Sequence, residues 1–322
     1  MLLGDVSNEA HHSVTGSVTR RAALVGGLCL CCLPLPAGAA LPAPVLTEVG
    51  PGIYIRTGPY QVATADNADG IANTGFVIGR RSVLVTEAGG SLVDGQWLRA
   101  EIKKRTDKPI RHVVISHVHP DHAFGAAAFA EDQPAFIGHP GLQAALQTRG
   151  EYYRRRLIEV LGADRAGSVV YPTEAAQDGA EIDLGGRVLR LIVHGKAHTD
   201  CDLSLLDAES GLLLPADLVF AGRVPSLDGS LKGWLNEMDR LQGLGITRAV
   251  PGHGPPVVEL ASALADLRRY LTLLRDETRQ AIAAGVAIGE AGRTVAQAER
   301  GRWALFDDYH GRNVIQAYKE LE

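Results

Sequence analysis

Of 322 residues, 46% are hydrophobic and 21% charged, a balance that argues against a disordered, collagenous or coiled-coil chain. Lys and Arg number 32 against 37 Asp and Glu, for a net charge of -5. With no basic stripe to follow a phosphate backbone, nucleic acid is not an expected partner.

The first forty residues read as an export signal. Arg20 and Arg21 precede an apolar run from Ala22 to Leu35, too short to span a bilayer comfortably, and small residues at Ala37 and Ala39 suit cleavage near position 40. Thr19-Arg20-Arg21 resembles a twin-arginine signal, without the phenylalanine and lysine favoured later in that pattern. The expected address is the periplasm, with no stable membrane span after cleavage. Cys29, Cys31 and Cys32 would leave with the signal, so residues 41–322 keep Cys201 alone and form one domain without an internal disulfide.

Short strands are predicted at 53–55, 75–78 and 82–85, separated by Gly, Pro and Asn turns. Asp94 then reads as the N-cap of a helix carrying Trp97, Leu98 and Ile102, stopped at Lys108-Pro109. A buried-type strand at 112–116 runs into a loop rich in His and Asp. A short helix follows at 125–129 and a longer one at 143–161, whose Arg154, Arg155 and Arg156 read as a solvated face. The second half repeats the theme, with strands at 188–193, 203–206 and 212–214, a helix at 234–241 and a strand end at 249–250. Leucines 260, 264, 267, 271 and 274 make one apolar helical stripe that belongs to the core. Two strand-rich halves, each followed by helices, predict two sheets face to face with helices outside and the histidine loops opening on one edge.

The chemistry is concentrated in His117-Val-His119-Pro-Asp121-His122, directly after a strand. Alternate residues on an extended segment can aim His117 and His119 at one ion, while Asp121 and His122 turn toward a neighbouring position. Neutral imidazole and carboxylate are donors that suit zinc. His198, Asp217 and His253 each follow a predicted strand at the loop edge. Ligands on loops held by rigid strands leave coordination positions open for water and substrate, as a catalytic site requires.

These seven positions, in this order, resemble the metallo-β-lactamase superfamily over about 49–253. The resemblance implies an α/β fold, the four-layer αβ/βα sandwich, with two zinc ions; iron and manganese stay open as alternatives. By similarity, His117, His119 and His198 hold one ion, Asp121, His122 and His253 the other, and Asp217 bridges them. It implies hydrolysis of a small-molecule ester, thioester or amide-like bond by metal-bound hydroxide, with Asp121 also handling the water proton. Glu87 stands where an Asp is usual, either as a longer support for a ligand or as a solvated turn acid. Ala216 stands where glycine commonly precedes the bridging Asp. Cys201 reads as a small buried residue.

Cysteine-containing β-lactamases carry Cys at the position of Asp217, which lowers the rank of lactam hydrolysis. Residues 218–234 and 303–313 resemble the exported quinoprotein relay system zinc metallohydrolases, relatives of a sulfur-oxidation-linked group, and so imply a quinoprotein or sulfur-compound pathway. Arg223, Asp228 and Lys232 are candidates for the substrate mouth, and His310 and Asn313 for a cap from the C-terminal helix, each with a plain surface role as the alternative. His112, His139 and His194 read as structural. Three other readings stay open: a mononuclear iron oxidoreductase like the persulfide dioxygenases, a β-lactamase, and a non-catalytic maturation factor.

Overall fold

Alternation along the strands decides the architecture, because successive side chains point to opposite faces of a sheet. The computed structural model describes residues 44–322; the expected export signal at 1–40 lies outside the described residues. The first sheet contains β1 (Leu46–Gly50), β2 (Ile53–Arg56), β3 (Thr74–Ile78), β4 (Val83–Glu87), β5 (Ile110–Ile115), β6 (Ala135–Gly138) and β7 (Glu174–Ala175), side by side in that order. β1 to β4 are antiparallel and β4 to β7 parallel. Between them run α1 (Leu92–Arg105), α2 (Pro120–Ala123), a 3-10 stretch (Phe124–Asp132), α3 (Leu142–Leu161) and α4 (Ala163–Ala166).

The second sheet has the order β13-β12-β11-β10-β9-β8. Its strands are β8 (Glu181–Asp183), β9 (Val188–Val193), β10 (Leu203–Asp207), β11 (Leu212–Phe220), β12 (Arg248–His253) and β13 (Val258–Glu259). Only β11 and β12 pair in parallel, bridged by α5 (Leu231–Gly243). Then come α6 (Leu260–Ala283), α7 (Ile288–Thr294) and α8 (Phe306–Leu321). No described helix is long and apolar enough to cross a membrane.

Three apolar clusters turn these elements into four layers. Leu84 and Val114 of the first sheet meet Leu189, Leu205, Leu212 and Leu214 of the second, between the sheets. Val83, Val85 and Val113 point the other way, onto Leu98 and Ile102 of α1 and Leu142 and Leu146 of α3. Leu213 and Val219 face Trp234 of α5 and the stripe Leu260, Leu264, Leu267, Leu271 and Leu274 of α6. Each of those leucines removes enough apolar surface from water to stabilise the fold by about 1.5–3 kcal/mol. The predicted α/β sandwich is the observed one.

Two local expectations change. The cap of α1 is Ser91, whose hydroxyl accepts the Asp94 N–H, while Asp94 is buried inside the first turn. Asp94 is taken up by Arg56 of β2 and by the Gly90 N–H at 3.0 Å, so an ion pair from a distant strand claims the side chain. The strand predicted at 212–214 continues to Phe220, so Asp217 lies within β11 and not on a loop after it. Pro215 and Ala216 do not end the strand because the pairing with β12 shifts register around Ala216 and resumes at Phe220.

A buried ion pair ties the sheets together. Arg187, before β9, donates to both oxygens of Asp207 at 2.9 and 3.0 Å and to the Pro51 carbonyl between β1 and β2. Burial opposes ionisation of Asp207, but bonds from Arg187 and from the hydroxyl and N–H of Ser210 together outweigh it and hold the carboxyl below its usual range. Its contribution is therefore complete above the unfolded-state pKa and is lost as pH falls through the lower folded value. Asp207→Ala would leave the guanidinium buried and unpaired, and urea unfolding should show a loss of about 3–5 kcal/mol. The double variant Arg187→Met/Asp207→Leu should recover most of it; a loss below about 1 kcal/mol in the single variant would show that the pair does not anchor the sheets.

Candidate metal centre

The first four candidate ligands are aimed by the end of one strand. After Ile115 the chain leaves the strand and bends at His117 and Val118, in place of the extended segment expected from the sequence; His119 is extended, and Pro120, whose ring fixes a helical φ, opens the single turn of α2. That turn aims Asp121 and His122 at a second donor group, with the His122 ring centre 4.4 Å from that of His117. In the second sheet, β11 and β12 run in parallel and deliver Asp217 and His253 together. Two backbone details permit this. Ala216 has φ +48°, a left-handed conformation that favours glycine, and so re-aims the next side chain. Gly252 leaves the space that Asp217 occupies, since a Cβ there would stand 1.9 Å from Asp217 Oδ1.

The seven residues form two donor groups. In the first, His119 Nδ1 lies 3.1 Å from His117 Nε2 and 3.0 Å from His198 Nε2, and Asp217 Oδ2 lies 3.3 Å from His198 Nε2 and 3.8 Å from His117 Nε2. In the second, His122 Nε2 is 3.0 Å from Asp217 Oδ1 and 3.8 Å from Asp121 Oδ2. His253 Nε2 is 3.2 Å from Asp121 Oδ2 and 3.5 Å from Asp217 Oδ1. Asp217 thus presents one oxygen to each group. Zinc–nitrogen bonds of about 2.0–2.1 Å in a tetrahedron give ligand-to-ligand edges of roughly 3.3–3.4 Å, the middle of these separations.

Outer contacts decide which nitrogen of each ring faces inward. His198 Nδ1 meets the Ser226 carbonyl at 2.6 Å and His253 Nδ1 the Ile71 carbonyl at 3.0 Å. A carbonyl only accepts, so both rings donate from Nδ1 and turn an Nε2 lone pair inward. His119 is reversed: its Nε2 contacts Asp228 Oδ2 at 3.1 Å, leaving Nδ1 for the centre. Burial keeps His117 and His198 neutral, the latter down to about 3. Neutral rings with converging lone pairs repel one another unless a cation lies between them.

The second group is more strongly charged. Burial would lower His122, but Asp217, Glu87 and Asp121 around it push it well above the usual imidazole range. Both His122 ring nitrogens, Asp217 Oδ1 and Glu87 Oε2 are buried without hydrogen-bond alignment to any described partner. Burial opposes ionisation of Asp217 and Asp121 too, yet His122 and His253 hold both below the usual carboxylate range. Such a set of desolvated carboxylates and orphaned nitrogens fits divalent cations.

The remaining candidates have definite places. Glu87 is buried at the end of β4, 3.2 Å from His122 Nδ1, so it is not a solvated turn acid. Cys201 is fully buried among the first sheet's helices, its thiol pushed up to about 12 by burial, and belongs to neither donor group. Arg223 is buried and lines the cleft above the centre; Asp228 lines it too and also receives Arg149 at 2.6 Å. Lys232 is exposed on α5, outside the cleft lining. Asn313 and His310 are buried and do not cap the site. Asn313 instead bonds the Leu227 N–H, the Pro225 carbonyl and the Tyr270 hydroxyl, holding the loop that carries Ser226 and Asp228. His310 bonds Tyr270 and the Val295 carbonyl.

Sequence reasoning passed over Arg149, Tyr153 and Asp69. Arg149 and Tyr153 continue the α3 stripe 142, 146, 149, 153, 157; Tyr153 lines the cleft, and Arg149 stands behind it, bonded to Asp228 and Asp200. Asp69 lies in an Asn-Ala-Asp-Gly turn with φ +60°, and its place in the cleft lining has no signal in the pattern.

Glu87 touches His122 on the side away from the other donors. Glu87→Ala should weaken divalent-ion affinity about 10–100-fold in competition with a chromophoric chelator, with far-ultraviolet circular dichroism unchanged. Unaltered affinity would show that the contact does not tune the ring.

Residues 68–253 match the family profile described as metallo-beta-lactamase superfamily. Among curated proteins, the chain is 22% identical over 236 residues to a linear primary-alkylsulfatase of a Pseudomonas species, covering 61% of this chain and 44% of that protein. It is 24% identical over 188 residues to a 2,4-dinitroanisole O-demethylase subunit alpha of a Nocardioides species, covering 58% and 53%. The chain therefore spans about half the length of these relatives. Among solved structures, a metallo-beta-lactamase from Pontibacter korlensis superposes with a TM-score of 0.58 at 18% identity, covering 71% of this chain and 99% of the other. A double mutant of the sec-alkyl sulfatase PisA1 superposes with a TM-score of 0.66 at 18% identity, covering 86% and 50%. With the fold, the donor geometry and the profile match in agreement, the chain belongs to the metallo-beta-lactamase superfamily.

Proposed function

We propose that this protein is a dinuclear zinc hydrolase acting on an ester-type bond. The observation that carries the reading is Asp217, whose two oxygens face two separate donor groups. His117, His119 and His198 would hold one ion, Asp121, His122 and His253 the other, and Asp217 both. A pair of divalent cations held there would supply a water acidified toward neutrality and polarise the bond under attack. The chain's own part is positioning and proton handling. Ser226, Ile71 and Asp228 fix three of the imidazoles, so the centre need not reorganise during reaction. Asp121, reachable from the cleft, is placed to orient the water and to relay its proton to the leaving oxygen, so that water adds across the broken bond. The curated relative named a linear primary-alkylsulfatase supports an ester over a lactam.

Two further readings accompany this one. Residues 1–40 support export to the periplasm by the twin-arginine route. The likeness of 218–234 and 303–313 to the quinoprotein relay system metallohydrolases supports a place beside a quinoprotein or sulfur-compound pathway.

Elemental mass spectrometry of the purified protein should find about two zinc ions per chain, and Asp217→Ala fewer than one. The same variant should lose at least about a hundredfold in hydrolysis across a panel of carboxylic, thio- and sulfate esters, because both ions lose a ligand. One iron per chain with no hydrolysis would overturn the reading in favour of an oxidoreductase.

A further inference from the structure

The cleft above the centre has a volume of about 670 Å³, and its lining joins two unlike chemistries. One is a cation held in place without a carboxylate in ion-pair contact. Arg223 is 3% exposed, its guanidinium carbon stands 4.6 Å from the ring centre of Tyr309 and 5.8 Å from that of Phe220, and its Nε has no hydrogen-bond partner. No described carboxylate stands within 4.0 Å of its guanidinium, and Asp69 of the same lining feels its charge only from farther away. Ring faces orient a guanidinium but do not neutralise it, so a desolvated charge remains available to the cleft. The other is a set of aliphatic side chains left in contact with water. Val62 from the loop between β2 and β3, Val160 from α3 and Ile315 from α8 are 40%, 39% and 39% exposed, and all three line this cleft. They are three of the five large aliphatic residues exposed among the described residues. Scattered exposure needs no explanation, but convergence from three distant segments on one cavity marks a surface that an apolar group covers.

We propose that the substrate is an anionic amphiphile, an ester whose charged group is held by Arg223 beside the centre and whose aliphatic tail lies along Val62, Val160 and Ile315. This rests on the hydrolase reading for the ester bond and for the cations that offset Asp121 and Asp217 in the same lining. Recognition itself is testable without turnover. Alkanesulfonates carry the anion and the tail but no ester, so calorimetric titration of the zinc-loaded protein with butane-, octane- and decanesulfonate below their micellar concentrations reads binding alone.

Affinity should rise with chain length, roughly two- to fourfold per methylene that reaches the apolar wall. Arg223→Gln should weaken octanesulfonate at least tenfold, and Arg223→Lys, which keeps the charge, should retain most of the affinity, so that a folding defect is distinguished from loss of the anion contact. Val62→Ser/Ile315→Ser should flatten the chain-length dependence while leaving butanesulfonate unchanged. Affinity independent of chain length, or untouched by Arg223→Gln, would overturn the proposal. Neutral p-nitrophenyl acetate assayed on the same preparations separates the two readings: binding retained without any turnover supports the amphiphile site and overturns the hydrolase.

Discussion

The buried carboxylate of Asp217 is the constraint on which the centre depends. Its oxygens face different sets of imidazoles, and neither set contains enough positive charge of its own to balance Asp217, Asp121 and Glu87 in a desolvated place. Positioning that carboxylate needs a buried strand from Leu212, a left-handed residue at 216, and a neighbouring strand with no side chain at 252. Ala216 adopts at some cost a conformation that glycine takes freely, and a register shift in the pairing of β11 with β12 absorbs the local irregularity. One of the strained residues of the fold is thus the one that aims the shared ligand.

The centre is also where the two halves of the sandwich are joined by polar contacts. His117, His119, Asp121 and His122 come from the end of a strand in the first sheet, and His198, Asp217 and His253 from the second. Asp228, on the loop after β11, reaches across to His119 and to Arg149 of α3. The C-terminal helices take part without touching the donors. Asn313 of α8 holds the segment that presents the Ser226 carbonyl to His198. Residues beyond 253, outside the part that matches the family profile, therefore support a ring inside it.

The donors were legible because their chemistry is dense in the chain: four potential ligands occur within six residues, and the other three close apolar runs of strand type. The two-sheet arrangement followed from two strand-rich halves of short apolar runs, each followed by helices, and the leucines of α6 took the buried place their spacing implies. Other residues were legible only in type. Asp94 has the chemistry of a cap, but Arg56 of a distant strand captures it and Ser91 caps instead. Glu87 could equally have been solvated, and its burial against His122 is a fact of packing.

What the sequence by itself determined is the inventory and its local geometry: which groups can donate to a cation, on which side of a strand or turn each lies, and which faces must be buried. These follow from backbone periodicity and side-chain chemistry, which act over a few residues. Tertiary structure alone decided that Asp217 stands between two donor groups, that Asp228 serves His119, that Lys232 stays outside the cleft, and that Val62, Val160 and Ile315 line the same cleft as Arg223. Each of these depends on how two sheets and three separate helices come together, and no short-range pattern encodes the distance between residues that only packing makes neighbours.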